Sequence, residues 1–327
     1  MDTADMIELP AGADPHAAAA AAAAAAVSPG ADDHVVPAKW VDFYELTKPR
    51  MNFLVVITTM VGFYMASGGR EGLQVTPLDW RLLLATVIGT ALTAAGASVA
   101  NQFVERDLDK LMPRTRARPL PAGRVAPAEA LGFGVALGVA GVAILLACVN
   151  SLTALLGAAT LLSYVFVYTP LKRVTTLNTV IGAVPGAIPP VMGLTAVHGA
   201  LSPQALALFG ILFFWQMPHF LAIAILYKRD YALAGFKMLP VVDEQLHLTG
   251  RQIVLYAVAL IPVSLMPVYV GLAGRAYFAV ALMLGLAFLS FAVSCALTRE
   301  RADARKLFFA SIIYLPALLG VMMLDRS

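Results

Sequence analysis

Residues 80–109 read WRLLLATVIGTALTAAGASVANQFVERDLD, a long apolar run that turns polar over its last residues. The apolar part, Trp80–Phe103, is long enough to cross a bilayer as a helix, which needs roughly 20 residues. The sequence therefore predicts an all-α integral membrane protein, a bundle of about nine transmembrane helices. The other comparable runs are Thr47–Ser67, Pro127–Val149, Ser151–Tyr168, Leu177–Val197, Pro203–Tyr227, Gln252–Leu272, Tyr277–Leu297 and Leu307–Leu324.

The composition agrees with this fold class. Of the 327 residues, 60% are hydrophobic and 13% are charged, whereas soluble domains are about 45–50% apolar and about 25% charged. We therefore exclude an ordinary soluble domain, and expect a lipid bilayer as partner and no nucleic acid. Cys148 and Cys295 both lie in apolar runs, which indicates core residues without a disulfide framework.

The first forty residues differ from the rest of the chain. They carry most of their charge as acids and contain an alanine tract from Ala17 to Ala26. This composition predicts that residues 1–40 form a disordered cytoplasmic tail and that residues 41–327 form a single membrane-embedded domain. Because the tail lacks the features of a signal or transit peptide, a bacterial plasma membrane is favoured.

The distribution of Lys and Arg predicts the orientation. With a cytoplasmic N-terminus and nine crossings, nineteen of the 23 Lys and Arg residues fall on the cytoplasmic side and four fall outside. The positive-inside rule predicts such a skew for correctly assigned spans. We therefore expect a central cavity that opens to the cytoplasmic side, where the polar residues of interest also lie.

Asn101, Glu105 and Asp109 follow at intervals of four residues where the second predicted span ends. Residues with this spacing share one helix face. Three oxygen-bearing side chains suit Mg²⁺, which is typically held by one or two carboxylates together with substrate phosphate oxygens. The pattern predicts a magnesium site for a diphosphate, with these three residues as ligands.

The following loop adds cations, among them Arg114 and Arg118, whose guanidinium groups can bind phosphate oxygens in pairs. The alternative is that these arginines only fix the orientation and that Asn101 and Glu105 only end the span. Asp107 would point away from the shared face, either as an ion-pair partner or because the helix has unwound there.

A second set of polar residues follows the sixth span. His219 and Asp230 are eleven residues apart, so one continuous helix would place them on nearly the same face. His219 either contacts substrate or hydrogen-bonds the carbonyl freed by Pro218. Asp230 is either part of a surface ion pair with Lys228 and Arg229 or a ligand of a second Mg²⁺ across the bundle.

The fifth span contains Pro185, Pro189 and Pro190, and these prolines predict that it is not a regular helix.

Several short motifs, in order between Leu46 and Val242, resemble one known family. They are Leu46-Thr47-Lys48-Pro49-Arg50; Asn101, Glu105 and Asp109 around Arg106-Asp107; Arg114-Thr115 and Arg118-Pro119; Leu171-Lys172-Arg173 and Asn178; Gly186-Ala187-Ile188-Pro189-Pro190; Trp215-Gln216-Met217-Pro218-His219-Phe220; Tyr227-Lys228-Arg229-Asp230-Tyr231 with Ala234-Gly235; and Met238-Leu239-Pro240.

Together these motifs resemble those of the UbiA-type intramembrane prenyltransferases, and within that family its haem-farnesylating branch. Two positions depart from the family pattern. Glu105 stands where Asp is usual, and Asp230 stands alone where many relatives outside the haem branch have paired aspartates. The single aspartate favours the haem branch over enzymes that act on quinone precursors.

The resemblance implies that the chain transfers a farnesyl group from farnesyl diphosphate to a vinyl group of haem b, giving haem O and diphosphate for haem-copper oxidases. It implies Mg²⁺ as cofactor, held by Asn101, Glu105, Asp109 and Asp230, and His219 as a further catalytic residue. Contact with other haem or oxidase assembly enzymes is also expected. The residues expected to bind diphosphate or haem propionates are Lys48, Arg50, Arg114, Arg118, Lys172, Lys228 and Asn178.

Three alternatives are weighed against this interpretation. A related enzyme could prenylate an aromatic quinone precursor instead of haem. A transporter would show inverted repeats and polar groups near the middle of the bilayer, whereas most acids here lie near one interface. A non-catalytic assembly protein would not depend on Mg²⁺.

Overall fold

The computed structural model describes residues 38–67 and 79–326. The described residues from Lys39 onward form one compact unit. The predicted tail lies outside the described residues up to residue 37, and its last two residues, Lys39 and Trp40, belong to the first helix.

The described residues form helices and their connections. α5 continues through a π-helical segment, Ser163–Tyr168, to Leu171. The helices are α1 (Lys39–Leu46), α2 (Pro49–Ala66), α3 (Trp80–Asp109), α4 (Pro127–Cys148), α5 (Ser151–Leu162), α6 (Asn178–His198), α7 (Pro203–Leu226), α8 (Lys228–Leu233), α9 (Leu239–Val242), α10 (His247–Tyr269), α11 (Arg275–Thr298) and α12 (Arg301–Leu324).

Eight of the described helices are long and apolar enough to cross a membrane: α3, α4, α5 with its extension to Leu171, α6, α7, α10, α11 and α12. This confirms the prediction of an all-α membrane protein. α2 coincides with the first predicted span but is not among these eight. The count of nine crossings and the cavity opening to the cytoplasm therefore stay predictions.

Polar residues begin several of the long helices. The Asp79 carboxylate accepts hydrogen bonds from the backbone N–H groups of Arg81 and Leu82 at the start of α3. Asn150 accepts from the N–H of Thr153 at the start of α5, and the chain separates the two predicted spans at Val149 and Asn150. Such caps satisfy N–H groups that have no partner inside a helix.

Glycines allow the helices to pack closely. A Cβ on Gly96 would lie within 2.6 Å of the backbone nitrogen of Gly138, so α3 and α4 touch backbone to backbone. α6 packs between α2 and α7, α10 and α12 pack against α7, and α11 packs against α10 and α12. In lipid, small residues favour such contacts because van der Waals packing is a main source of helix association.

The prediction that the fifth span is irregular is wrong. α6 runs without a break through Pro185, Pro189 and Pro190, all of which are inside the helix and buried. The flanking helices α2 and α7 hold the proline segment, and Gln216 Nε2 of α7 lies 3.4 Å from the carbonyl oxygen of Ala183. Tertiary packing thus overrides the local preference of proline to end a helix.

We expect Gly193→Ala to destabilise the protein by about 1–3 kcal/mol, the usual cost of overpacking. A Cβ there would meet the carbonyl oxygen of Thr59 and the backbone nitrogen of Phe63, which cannot move independently of α2. Gly320→Ala is the matched control, because nothing described lies within 4 Å of its Cβ. Thermal unfolding in detergent measures both; equal melting temperatures would contradict the close contact of α2 and α6.

Candidate active site

The polar end of α3 lies inside the protein. The helix continues past the apolar run to Asp109, and Asn101, Glu105 and Asp109 are all buried. Asp107, between the two acids, is 67% exposed and lies 3.1 Å from Lys110 Nζ. The helix therefore has not unwound at Asp107, and this residue is an ion-pair partner on the opposite face.

Each of the three buried side chains meets a cation from a different segment. Lys48 Nζ donates to Asn101 Oδ1 at 2.7 Å, and Lys172 Nζ donates to Glu105 Oε1 at 2.7 Å. Arg118 Nη1 donates to Asp109 Oδ2 at 2.8 Å. Three of the cations that the sequence predicted for the diphosphate thus surround the three residues predicted for the metal.

Burial and mutual repulsion act on these cations. Burial first, and then the nearby Arg118 guanidinium, lower the pKa of Lys48 to about 7. Burial would also lower the pKa of Lys172, but the Glu105 carboxylate raises it above its ordinary value. Lys172 is therefore held in its charged form by Glu105, whereas Lys48 has no carboxylate among the described residues as a hydrogen-bond partner.

One buried oxygen in this cluster has no partner. Asp109 Oδ1 makes no hydrogen bond to any described residue, although Asp109 is only 1% exposed. A buried carboxylate oxygen without a partner is costly, and a bound cation would satisfy it. The donor set of carboxylate and amide oxygens therefore fits Mg²⁺.

Protein groups alone do not complete a metal site. The described ranges contain no cluster of three or more His, Cys, Asp or Glu side chains placed to hold a metal. Mg²⁺ usually keeps waters or substrate phosphate oxygens in its coordination sphere, so this arrangement fits an ion that arrives with a diphosphate.

Two long connections, residues 110–126 after α3 and residues 227–246 between α7 and α10, contact each other. The Arg114 guanidinium lies over the rings of Tyr227 and Tyr231, at 4.5 and 5.3 Å from their centroids. Met112 packs in one cluster with residues of the second connection, including Phe236. These contacts join the connection after α3 to the segment that carries Asp230.

Asp230 and His219 do not share a helix. α7 ends at Leu226, and Asp230 lies on the separate short helix α8, so the prediction of one continuous face is wrong. The reason is a break at Tyr227, whose backbone leaves the helical region. Asp230 is half-buried, and within the part of the chain that the structure describes its carboxylate has neither a hydrogen bond nor an ion pair.

His219 is tied to α12. Its Nδ1 lies 2.7 Å from Ser311 Oγ, and its ring stacks between Trp215 and Phe308. Trp215 Nε1 also donates to the carbonyl oxygen of Ser311. The hydrogen bond of His219 is therefore made with a serine of the neighbouring helix. The sequence had predicted, as one alternative, a bond to the carbonyl freed by Pro218.

Within the described residues, the other residues predicted to bind diphosphate or propionates make no hydrogen bond or ion pair with the predicted metal ligands of α3. Lys228 Nζ donates to the carbonyl oxygen of Glu244, and Arg50 is exposed. Asn178 is fully buried and donates to the carbonyl oxygen of Lys237 at 3.0 Å. Asn178 therefore fastens the second connection to the start of α6.

Some residues at the site were missed in the sequence. Thr169 accepts a hydrogen bond from Asn101 Nδ2 at 3.1 Å, and the Phe236 ring lies 5.7 Å from Lys172 Nζ. The buried Asp42 on α1 pairs with Arg124 Nε at 2.8 Å, which holds α1 against the connection after α3. The sequence offered little signal for Asp42, because the segment Lys39–Leu46 carries a second acid, Glu45, within one helical turn of it.

Comparison with known proteins gives consistent results. A family model described as the UbiA prenyltransferase family matches residues 55–313. A protoheme IX farnesyltransferase of Solibacter usitatus is 49% identical over 289 residues, which are 87% of this chain and 98% of the relative. Another of the same name, from Myxococcus xanthus, is 42% identical over 294 residues, 89% of this chain and 96% of the relative.

Solved structures share the fold. A digeranylgeranylglyceryl phosphate synthase superposes with a TM-score of 0.70 at 16% identity, over 88% of this chain and 98% of that one. A UbiA homolog from Archaeoglobus fulgidus bound to GPP and Mg²⁺ superposes with a TM-score of 0.60 at 17% identity, over 86% and 99%. At these identities the likeness shows a common helical architecture.

Proposed function

The chain belongs to the UbiA prenyltransferase family, and from this premise we propose that it transfers a farnesyl group from farnesyl diphosphate to a vinyl group of protohaem IX. The products are haem O and diphosphate. The observation that carries the proposal is the buried row Asn101, Glu105 and Asp109 with its ring of cations. The protoheme IX farnesyltransferases that align over nearly their whole length support the choice of acceptor.

The cations bind the diphosphate. Lys48, Lys172 and Arg118, which donate hydrogen bonds to Asn101, Glu105 and Asp109, are the cations placed to bind the phosphate oxygens. Arg114 and Lys228, from the two connections, add charge at the mouth of the site, together with Arg50 and Asn178. These groups also suit the propionates of haem.

Asn101, Glu105, Asp109 and Asp230 are the residues that would hold Mg²⁺. When bound, the ion supplies positive charge that stabilises the departing diphosphate. Asp109, whose second oxygen has no partner, is the strongest candidate among the four.

Bond changes occur at the farnesyl C1 atom. Its bond to oxygen breaks, and the electron pair leaves with diphosphate. The π electrons of the haem vinyl group form the new carbon–carbon bond, and water then adds to the resulting cation with loss of a proton. The aromatic rings of Tyr164 and Tyr168, 5.2 Å apart beside Lys172, are placed to steady positive charge on the allyl group and to exclude water. Phe103, Phe220 and His219 are further candidates for this role.

The proposed location is the bacterial plasma membrane, with the N-terminus and the site on the cytoplasmic side, where most Lys and Arg lie. Association with other haem or oxidase assembly enzymes belongs to the same proposal.

Purified protein in nanodiscs with labelled farnesyl diphosphate and Mg²⁺ tests the acceptor. With protohaem, we expect a labelled haem that carries a hydroxyethylfarnesyl group in place of one vinyl, identified by mass spectrometry. With 4-hydroxybenzoate we expect no labelled product. Transfer to 4-hydroxybenzoate and not to protohaem would overturn the proposal in favour of a quinone-precursor enzyme.

A further inference from the structure

A groove of about 530 Å³ runs between the start of α10 and the end of α11. Its upper part is lined by His247, Arg251 and Arg299, and its lower part by apolar side chains such as Leu255 and Leu297. None of these residues belongs to the candidate active site. The volume is in the range of pockets that bind small molecules, about 300–1,000 Å³.

The cations in the groove are not neutralised by the protein. Within the described residues, the side chains of Arg251 and Arg299 have no ion pair or hydrogen bond, and no Asp or Glu lines the groove. Glu300 follows Arg299 in sequence and is exposed, but it does not line the groove. Two unpaired guanidinium groups at one end of a groove favour a phosphate-bearing ligand.

Arg299 also has an unusual backbone. It ends α11 in the left-handed region, with φ of 58°, where glycine is the usual residue. This conformation is costly for a residue with a Cβ. An arginine at this position places a second guanidinium group opposite Arg251. A glycine would leave Arg251 as the one arginine among the described residues that line the groove.

The apolar part of the groove is continuous with the surface that faces lipid. Leu255 is 60% exposed and Leu297 is 73% exposed, and Val258, one turn further along α10, is also exposed. On a membrane-spanning pair of helices these side chains lie among acyl chains. The cationic end lies on the side of the two long connections, because α9 packs against both α7 and α10.

We propose that this groove binds an anionic phospholipid, with its headgroup phosphate on Arg251 and Arg299 and an acyl chain along Val254, Leu255 and Leu297. Charge complementarity selects the headgroup, and the open apolar lower part accepts a chain that continues into the bilayer. Basic pockets between helices at the cytoplasmic surface are known to bind anionic headgroups in this way.

Native mass spectrometry of the full chain, titrated with phosphatidylglycerol or phosphatidylcholine, tests the proposal. We expect the double variant Arg251→Gln/Arg299→Gln to bind phosphatidylglycerol about 25-fold more weakly, because each arginine near an anionic headgroup contributes about fivefold. The charge-retaining variant Arg251→Lys/Arg299→Lys is expected to keep most of the binding. The matched control Arg301→Gln/Arg305→Gln, which removes two exposed cations from the same end of the bundle but outside the groove, is expected to bind normally.

Three outcomes would overturn the proposal. Equal affinity of the groove and control variants for phosphatidylglycerol would remove Arg251 and Arg299 from the lipid site. Equal retention of phosphatidylcholine and phosphatidylglycerol by the wild type would exclude headgroup recognition. Displacement of bound phosphatidylglycerol by stoichiometric protohaem would assign the groove to haem. Farnesyl transfer is not the readout, so the result is independent of the proposed enzymatic function.

Discussion

Asp109→Asn is expected to slow farnesyl transfer to protohaem about a hundredfold or more at saturating Mg²⁺, the order of loss when one electrostatic contact to a developing charge is removed. The substitution keeps the size of the side chain and removes its charge. Asp109 Oδ1 is the one buried acceptor of the α3 row without a partner, so it is the oxygen most available to a cation. The Mg²⁺ concentration for half-maximal rate should rise in parallel, as measured by a product assay across a Mg²⁺ titration.

The matched control is Asp107→Asn, two residues away on the exposed face. Asp107 pairs with Lys110 at 3.1 Å and with Arg106 at 3.7 Å, and exposed pairs contribute about 0–1 kcal/mol. This variant should therefore show the wild-type rate and Mg²⁺ dependence. A normal rate for Asp109→Asn would exclude Asp109 from the metal site.

Loss of folding must be separated from loss of catalysis. Asp109→Asn leaves the Arg118 guanidinium, which is only partly exposed, without its carboxylate. The double variant Asp109→Asn/Arg118→Gln restores a neutral pair and should recover thermal stability in detergent. If it also recovered the wild-type rate, the effect of the single variant would be structural.

Most of the fold follows from the hydropathy of the sequence. In lipid every backbone polar group must find a partner within the protein, so long apolar runs have few alternatives to a helix. The ends of the helices are predicted less well by hydropathy. α3 extends to Asp109 although the apolar run ends at Phe103, because its polar side chains are buried against Lys172 and Arg118.

The candidate site, too, could be predicted only in part from the sequence. Helical spacing was enough to predict that Asn101, Glu105 and Asp109 share one face. It could not predict which cation meets which acid, because Lys48 and Lys172 come from segments distant in sequence. Nor could it predict the break at Tyr227, where tertiary contacts to Arg114 accompany the change of direction.

These pairings suggest a physical reason for the mixture of charges. Two buried carboxylates, Glu105 and Asp109, would destabilise the fold without compensating cations. Lys172 compensates Glu105, and Arg118 compensates one oxygen of Asp109. In the proposed complex, the acids would gain the metal ion and the cations would gain the diphosphate, so each charged group would keep a partner.

Asp230→Asn is expected to slow farnesyl transfer by about tenfold to a hundredfold. Asp230 is half-buried, it has no protein partner among the described residues, and its segment is fastened to the connection after α3 through Arg114 and Tyr231. A carboxylate that stays unpaired beside Lys228 and Arg229 is available for a ligand. The measurement is the steady-state rate against farnesyl diphosphate and Mg²⁺.

The control for this variant is Glu244→Gln. Glu244 lies in the same connection between α7 and α10 and is exposed, so its removal changes the net charge of the connection by the same amount. We expect the wild-type rate. Equal slowing of both variants would mean that the charge of the connection matters and the position of Asp230 does not, whereas a normal rate for Asp230→Asn would leave the metal to the α3 row alone. Slowing of Asp230→Asn alone, with a raised Mg²⁺ requirement, requires that the two connections act as the two sides of one diphosphate site.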